Sequence, residues 1–230
     1  MSDGVKAVVF DLDGVLVDSE GVWDEVRRGL AAEHGRPWPD DATHRMMGMS
    51  TQEWSAYLAD TVGVGGTAAD VAATVIERMA DRYREHLPLL PGAVEGVRRM
   101  AEAWPLGLAS SSPRRLIDSV LEAAGLTDAF QVTMSTEEVE EGKPSPAVYL
   151  AVASRLGSHP ETVVAIEDSS NGLRSAARAG MHVIAAPRPD FPPAPDALEL
   201  ADVVVDHLDD VTHDLVDSLV PAPADPSLEH

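Results

Sequence analysis

The feature that most constrains this chain is a largely apolar run near its start that ends abruptly on two carboxylates. The run extends from Val5 to Phe10, and Asp11, Asp13 and Gly14 follow at once. Apolar residues without strict alternation are typical of a strand buried on both faces, as in a parallel sheet. Two neighbouring carboxylates repel each other unless a cation lies between them or one of them carries a proton. A solvated acidic turn is the alternative, because Asp-Gly is also a common turn sequence.

The composition and net charge of the chain limit its size class, its partners and its cellular location. The chain has 230 residues, of which 44% are apolar, so it can bury the core of one large domain or two small ones. A net charge of −22 argues against nucleic acid and membrane surfaces as partners, because both attract basic proteins. The sequence shows no cysteine, no apolar stretch near the ~20 residues of a membrane span, and no signal-peptide pattern. We expect a cytoplasmic protein that is a monomer or a weak dimer.

The order of predicted elements indicates an α/β fold with a helical insertion. Residues 19–86 show helical spacing without a strand signal, whereas strands and helices alternate from residue 89 onward. Such alternation implies right-handed crossovers and a Rossmann-like parallel sheet. We therefore predict an α/β core formed by residues 1–17 and 89–220 and an all-helical cap domain at 18–88, in which Thr51 caps a helix over 52–62. Residues 221–230 are expected to be a disordered tail that ends in a purification-tag remnant.

Polar residues follow three of the predicted strands and one intervening loop: Asp11 and Asp13, Ser110 to Ser112, Glu167 and Asp168, and Lys143. Because the carboxyl ends of parallel strands meet at one edge of a sheet, we expect these side chains to converge. The carboxylates suit Mg²⁺, the serines at a helix start suit an anion, and the lysine adds a positive charge. Around a carboxylate nucleophile, this set describes phosphoryl transfer. Each group alone could be a helix cap or a solvated loop residue, but that explanation requires four coincidences.

The same segments resemble the four motifs of the haloacid dehalogenase (HAD) superfamily. The matching segments are residues 11–19 (DLDGVLVDS), 108–112 (LASSS), 142–144 (GKP) and 166–172 (IEDSSNG). The resemblance covers the whole predicted core, and the helical insertion resembles the subgroup that contains β-phosphoglucomutase and phosphoglycolate phosphatase. It implies the HAD fold and a hydrolase that acts on a small phosphorylated metabolite.

The resemblance also implies how the phosphoryl group is handled. Asp11 would be the nucleophile that forms an aspartyl-phosphate. Asp13 would protonate the leaving oxygen and then activate water. Ser110 and the backbone near Ser111 would bind phosphoryl oxygens, and Lys143 would pair with both the phosphate and the nucleophile.

The implied cofactor is Mg²⁺. Its ligands would be the carboxylate of Asp11, the backbone carbonyl of Asp13 and the carboxylate of Asp168. Glu167 would be a further ligand or a residue that supports the ligands. The presence of Asp13 argues against dehalogenation, because that reaction needs neither a second aspartate nor a metal.

Two departures from the subgroup favour a phosphatase over a mutase. In β-phosphoglucomutase a histidine lies five residues after the counterpart of Asp18, where this chain has Trp23, and an arginine that binds the distal phosphate has no counterpart near Thr51. We therefore predict a phosphatase, with a sugar phosphate as the favoured substrate. A phosphomutase is the alternative within enzymes, and a non-catalytic phosphate-binding module is the alternative from another class. The expected pocket residues in the cap are Trp23, Arg45, Met47 and Met49.

Overall fold

A computed structural model describes residues 4–46 and 49–220 of the chain. The strands of its central sheet are β1 (Ala7–Phe10), β2 (Leu106–Ser110), β3 (Val132–Ser135), β4 (Val163–Glu167), β5 (His182–Ala185) and β6 (Val203–Val204). Neighbouring strands are parallel throughout, and their spatial order is β3-β2-β1-β4-β5-β6. This confirms the predicted α/β fold with a parallel sheet. The expected tail at 221–230 and Met47 lie outside the described residues.

β1 lies in the interior of the sheet because both of its faces are apolar. Val8 and Phe10 belong to the hydrophobic core on one face, and Ala7 and Val9 belong to the core on the other. Phe10, the last residue of β1, pairs in register with residues close to the ends of β2 and β4. The residues that follow these three strands therefore reach the same edge of the sheet.

Ten helices of the described residues surround the sheet or precede β2: α1 (Glu20–Glu33), α2 (Ala42–Met46), α3 (Thr51–Ala56), α4 (Ala68–Glu85), α5 (Ala93–Ala101), α6 (Arg114–Ala124), α7 (Ala147–Arg155), α8 (Ser170–Arg178), α9 (Pro195–Leu198) and α10 (His213–Leu219). Val152 of α7 and Leu173 of α8 join the core on the face of Val9, and Leu116 of α6 joins the core on the face of Phe10. Both faces of the sheet are therefore covered, as crossovers in a parallel sheet require. No helix among the described residues has the length and apolarity needed to cross a membrane.

The helical block formed by α1 to α4 lies between β1 and β2 in the chain. Ser50 caps α3 through a capping box with Glu53, so the cap lies one residue before Thr51, where the sequence analysis expected it. The reason is that Ser50 has the extended backbone of a cap, whereas Thr51 is already helical. The helix predicted over 52–62 leaves α geometry after Ala56 and continues as a π-helical segment at Tyr57–Val62.

The two segments that connect the helical block to the sheet run side by side. Val17 and Leu89 form an antiparallel bridge, and the Asp18 N–H donates to the Pro88 carbonyl at 2.9 Å. The chain thus leaves the sheet and returns to it at one place. We propose that residues 18–88 form a separate cap domain, bounded by this joint, over a core made of residues 1–17 and 89–220.

Candidate active site

The loop after β1 brings Asp11 and Asp13 to the carboxyl edge of the sheet. The Asp11 N–H still donates to the Ile166 carbonyl at 3.0 Å, so Asp11 keeps the register of the strand. Gly14 then turns the chain with a φ of 84°, and a Cβ atom there would lie 1.8 Å from Oδ2 of Asp168. Only glycine combines this backbone conformation with this close approach. The turn therefore packs the loop directly against Asp168.

The ammonium group of Lys143 connects the ends of three strands. Its Nζ donates to Oδ1 of Asp11 at 2.6 Å, to Oε1 of Glu167 at 2.6 Å and to the Ala109 carbonyl at 2.9 Å. Burial by itself lowers the pKa of Lys143, but attraction to Asp11 and Glu167 outweighs that effect and raises the pKa. Lys143 is therefore a fixed positive charge beside Asp11.

Glu167 is fully buried and uses both carboxylate oxygens within the protein. Its Oε1 accepts hydrogen bonds from Lys143 and from the Tyr149 hydroxyl, the latter at 2.9 Å. Its Oε2 accepts from the Ser169 hydroxyl at 3.1 Å and from the backbone N–H groups of Asp168 and Ser169 at 3.0 and 3.2 Å. Of the two roles that the resemblance leaves open for Glu167, these contacts favour support of Lys143 over direct metal binding.

Asp11 and Asp168 present the oxygens that suit a metal ion. One oxygen from each of Asp11, Glu167 and Asp168 lies within 4.8 Å of the others. Oδ1 of Asp168 is buried and has no hydrogen-bond partner among the described residues. Buried polar atoms normally have a partner, and Mg²⁺ prefers carboxylate oxygens. The donor set and its unpartnered oxygen therefore fit Mg²⁺.

Burial of these carboxylates raises the pKa of two of them. Desolvation raises the pKa of Asp11 to about 8, with Lys143 opposing the shift and Glu167 adding to it. Desolvation also raises the pKa of Asp168, and repulsion from Glu167 and Asp11 adds to the effect. Both groups thus favour a proton in the absence of a cation, and a cation would compete with that proton.

The serine segment after β2 surrounds Asp13. The Ser112 hydroxyl donates to Oδ2 of Asp13 at 2.7 Å, and the Ser110 hydroxyl lies 3.4 Å from the same oxygen. Ser110 is fully buried and accepts from the Ser112 N–H at 2.9 Å. Ser111 and Ser112 line the adjacent cavity, whereas the side chain of Ser110 lies beneath its surface. Ser112 is a contact of Asp13 that sequence reasoning missed, although it stands within the same serine motif.

A cavity of about 540 Å³ lies between the carboxyl edge of the sheet and the helical block. Its floor includes Asp11, Lys143 and Asp168, which the structure brings together as the sequence predicted. Its opposite wall includes Trp23 and Met49, two of the expected pocket residues. The floor therefore carries the candidate catalytic groups, and the helical block supplies the wall.

Arg45, another expected pocket residue, does not line this cavity. Its guanidinium lies 5.2 Å from the centroid of the Tyr57 ring and 3.5 Å from the carboxylate of Asp41. Both contacts hold Arg45 at the exposed surface of the helical block. Its expected place in the pocket is therefore wrong.

Arg27 lines the cavity and was not predicted. It is 6% exposed, and its guanidinium lies 4.5 Å from the Trp23 ring centroid and 4.9 Å from that of Trp54. Burial lowers its pKa to about 10, with Glu20 and Asp24 opposing the shift, so it is protonated at neutral pH. Residue 27 falls on the apolar face of α1, four positions after Trp23. A charge on an apolar helix face is the sequence signal that could have revealed it.

Known proteins are similar to this chain in sequence and in fold. Residues 5–180 match the family described as haloacid dehalogenase-like hydrolase. Hexitol phosphatase B of Escherichia coli (strain K12) is 36% identical over 214 residues, which cover 90% of this chain and 95% of that protein. The phosphorylated carbohydrates phosphatase of Thermotoga maritima is 33% identical over 181 residues, which cover 78% and 84%. The crystal structure of CbbY from Rhodobacter sphaeroides in complex with phosphate superimposes with a TM-score of 0.79 and 26% identity, over 89% of this chain and 95% of that one.

Proposed function

Because the chain belongs to the haloacid dehalogenase-like hydrolase family, we propose that it is a Mg²⁺-dependent phosphatase. Its substrate is a small phosphorylated carbohydrate, and the reaction passes through an aspartyl-phosphate on Asp11. The observation that carries this proposal is the 2.6 Å contact between Lys143 and Asp11 on the floor of the cavity. Lys143 binds Oδ1, and Oδ2 accepts no hydrogen bond from the described part of the chain. A carboxylate held by one oxygen can attack with the other.

The substrate class rests on the relatives and on the size of the cavity. Two relatives carry names that specify phosphorylated carbohydrates, as a hexitol phosphatase and as a phosphorylated carbohydrates phosphatase. A volume of about 540 Å³ lies within the range of small-molecule sites, roughly 300–1,000 Å³. Both points support a sugar phosphate or polyol phosphate as the substrate.

Asp11 and Asp168 would hold Mg²⁺ through carboxylate oxygens, and the backbone carbonyl of Asp13 would be a further ligand. When bound, the ion supplies positive charge that neutralises phosphoryl oxygens. Lys143 contributes a second positive charge that is part of the protein. Together these charges allow an anionic carboxylate to approach an anionic phosphate.

In the first step an oxygen of Asp11 attacks phosphorus. A bond forms between that oxygen and phosphorus, and the bond between phosphorus and the alcohol oxygen breaks. Asp13 gives its proton to the departing alcohol oxygen. Ser112, which donates to Asp13 at 2.7 Å, positions that carboxyl group, and Ser111, in the loop between β2 and α6, offers donors to the phosphoryl oxygens.

In the second step Asp13, now ionised, takes a proton from water. The water oxygen attacks phosphorus, the bond between phosphorus and Asp11 breaks, and inorganic phosphate leaves. Trp23 and Thr51 line the cavity in place of the histidine and arginine noted for β-phosphoglucomutase. Their presence favours water over a second sugar hydroxyl as the acceptor.

The test is phosphate release from a panel of hexitol phosphates, hexose phosphates, nucleotides and phosphoglycolate by the full chain with Mg²⁺. We expect the phosphorylated carbohydrates to be hydrolysed at least about tenfold faster than the other compounds. Chelation of Mg²⁺ and the variant Asp11→Asn should each abolish release. The matched control is Asp128→Asn, an exposed aspartate outside the cavity, which should retain full activity. Failure to release phosphate from every compound would contradict the proposal.

A further inference from the structure

Arg27 is a buried charge that has no ion-pair partner among the described residues. Its Nε has no hydrogen-bond partner, and none of its nitrogens lies within 4.0 Å of a carboxylate oxygen among the described residues. Burying an unpaired charge costs several kcal/mol, of which cation–π contacts return only about 2 kcal/mol. The contacts with the rings of Trp23 and Trp54 therefore orient the guanidinium without fully compensating it.

Other arginines of the helical block have found partners. Arg28 donates to Asp24 at 2.5 Å, and Arg78 donates to both oxygens of Glu33 at 2.8 and 2.7 Å. The side chains of Arg28 and Arg78 are partly exposed, so water can also solvate their charges. The more buried arginine is thus the unpaired one, and it lines the cavity above the candidate catalytic floor.

Further polar groups lie beside Arg27. The hydroxyl groups of Ser19 and Tyr83 are buried and interact with each other, and neither has another hydrogen-bond partner among the described residues. Ser19 and Glu20 line the same cavity, and Glu20 and Tyr83 both lie close enough to Arg27 to affect its charge. This side of the cavity therefore has polar groups around a guanidinium whose Nε has no partner among the described residues.

We propose that Arg27, with Glu20 beside it, binds hydroxyl groups on the part of the substrate that is not transferred, and thereby selects an uncharged polyhydroxylated chain. Hydroxyl groups can accept from the guanidinium and donate to the carboxylate of Glu20. A second phosphate or a carboxylate at the far end of the substrate would gain less there, because the carboxylates of Glu20 and Asp24 near Arg27 offset its attraction for an anion. This inference rests on the proposed phosphatase function and adds the residues that choose its substrate.

The test compares Arg27→Met with the wild-type enzyme on three esters. These are a hexitol phosphate, the matching phosphorylated sugar acid, and p-nitrophenyl phosphate, which has no hydroxylated chain. We expect Arg27→Met to lower kcat/KM for the hexitol phosphate by about 50-fold and for p-nitrophenyl phosphate by less than about 3-fold. Wild-type enzyme should prefer the hexitol phosphate to the sugar acid by more than about tenfold. Arg78→Met, at an arginine outside the cavity, is the matched control and should leave all three values unchanged.

Two results of this comparison would overturn the inference. An equal loss on the hexitol phosphate and p-nitrophenyl phosphate would assign Arg27 to general structure, and a wild-type preference for the sugar acid would assign it an anionic partner. Absence of hydrolysis of every ester by wild-type enzyme would instead contradict the phosphatase proposal itself. If Arg27→Met does not fold, deoxy analogues of the hexitol phosphate with wild-type enzyme decide the matter. Their kcat/KM should fall as far-end hydroxyls are removed, and unchanged values would overturn the inference.

Discussion

The floor and the wall of the cavity each contain a buried positive charge, but the two charges differ in their pairing with carboxylates. On the floor, Lys143 is bound to two carboxylates and a carbonyl group, and its charge is balanced inside the protein. On the wall, Arg27 is also buried but has no ion pair within the part of the chain that the structure describes. We therefore expect the floor, with a cation bound at Asp168, to bind the phosphoryl group of any phosphate ester. The wall would bind only the part of the substrate that differs from one ester to the next. Changes to the floor should affect all substrates alike, and changes to the wall should affect them selectively.

Replacement of Lys143 by Met should have the largest effect. It leaves Asp11 and Glu167 buried without their cation, so kcat/KM should fall by about 10³-fold or more for a hexitol phosphate and p-nitrophenyl phosphate alike. Loss of one partner of a buried ion pair also costs about 3–5 kcal/mol, so the thermal midpoint should fall. Steady-state kinetics and thermal denaturation measure both effects. Lys6→Met, at an exposed lysine, is the control, and a loss confined to one substrate would break the contrast between floor and wall.

The metal-free protein should lose stability as the pH rises. Asp11 and Asp168 have raised pKa values in the folded state, so they keep protons that the unfolded chain releases above its own pKa of about 3.9. The part of this loss that comes from Asp11 begins above that pH and is complete above about 8, the folded-state pKa of Asp11. We expect the melting temperature of the metal-free protein to fall by roughly 4–8 °C between about pH 5 and pH 8, and Mg²⁺ to restore it.

Asp168→Asn separates the contribution of Asp168 from that of Asp11. The variant should melt at a higher temperature than the metal-free wild type at about pH 8, because it lacks a buried carboxyl group whose raised pKa opposes folding at that pH. It should also lose most of the stabilisation by Mg²⁺. Asp128→Asn should keep both the pH dependence and the Mg²⁺ response. A full Mg²⁺ response in Asp168→Asn would remove Asp168 from the metal site.

Tyr149→Phe should have a smaller effect that is still shared by all substrates. The change removes one hydrogen bond of 2.9 Å to Glu167, while Lys143 keeps its contact with the same oxygen. We expect kcat to fall by about 3–10-fold with KM nearly unchanged, since the change acts on Lys143 through Glu167. Tyr57→Phe, in the helical block, is the matched control. A change in KM for one substrate only would place Tyr149 in substrate selection.

Arg188→Gln should have the smallest effect. Arg188 also lines the cavity, but it donates to Asp18 at 3.1 Å in a partly exposed ion pair. Such pairs are worth about 0–1 kcal/mol, so kcat/KM should change by less than about 3-fold for every ester. If Arg188→Gln lowered kcat/KM for the hexitol phosphate as much as Arg27→Met does, the lack of an ion pair at Arg27 would not explain its role in substrate binding.

The floor could be predicted from the sequence because each of its residues follows a strand or a turn with a strong local signal. The run that ends at Asp11 predicted a buried strand, and strand ends in a parallel sheet meet, which places Asp168 nearby. Lys143 was recognisable because lysine is rare in this chain and stands in a loop motif. The fold class followed from the same alternation of strands and helices.

The wall could not be predicted to the same extent because its geometry depends on how helices pack. Arg45 and Arg27 both lie on helices of the helical block, yet Arg45 faces solvent and Arg27 lies against two indole rings. The change to π geometry at Tyr57–Val62 has no clear local signal, and it alters which residues of that segment share a face. The contact between Ser112 and Asp13 was also not predicted. The sequence does not show which of three adjacent serines points its hydroxyl group toward Asp13.

The most direct test of the floor's role is to find where the phosphoryl group resides during one turnover. Wild-type enzyme and Asp13→Asn are each mixed with Mg²⁺ and p-nitrophenyl phosphate, whose leaving group needs no proton from Asp13, then quenched in acid and digested for peptide mass spectrometry. We expect one phosphoryl group on Asp11, transient in the wild type and persistent in Asp13→Asn, because the variant lacks the base that activates water. Phosphate release without any phosphorylated Asp11, or a phosphoryl group on Ser111 instead, would contradict the account.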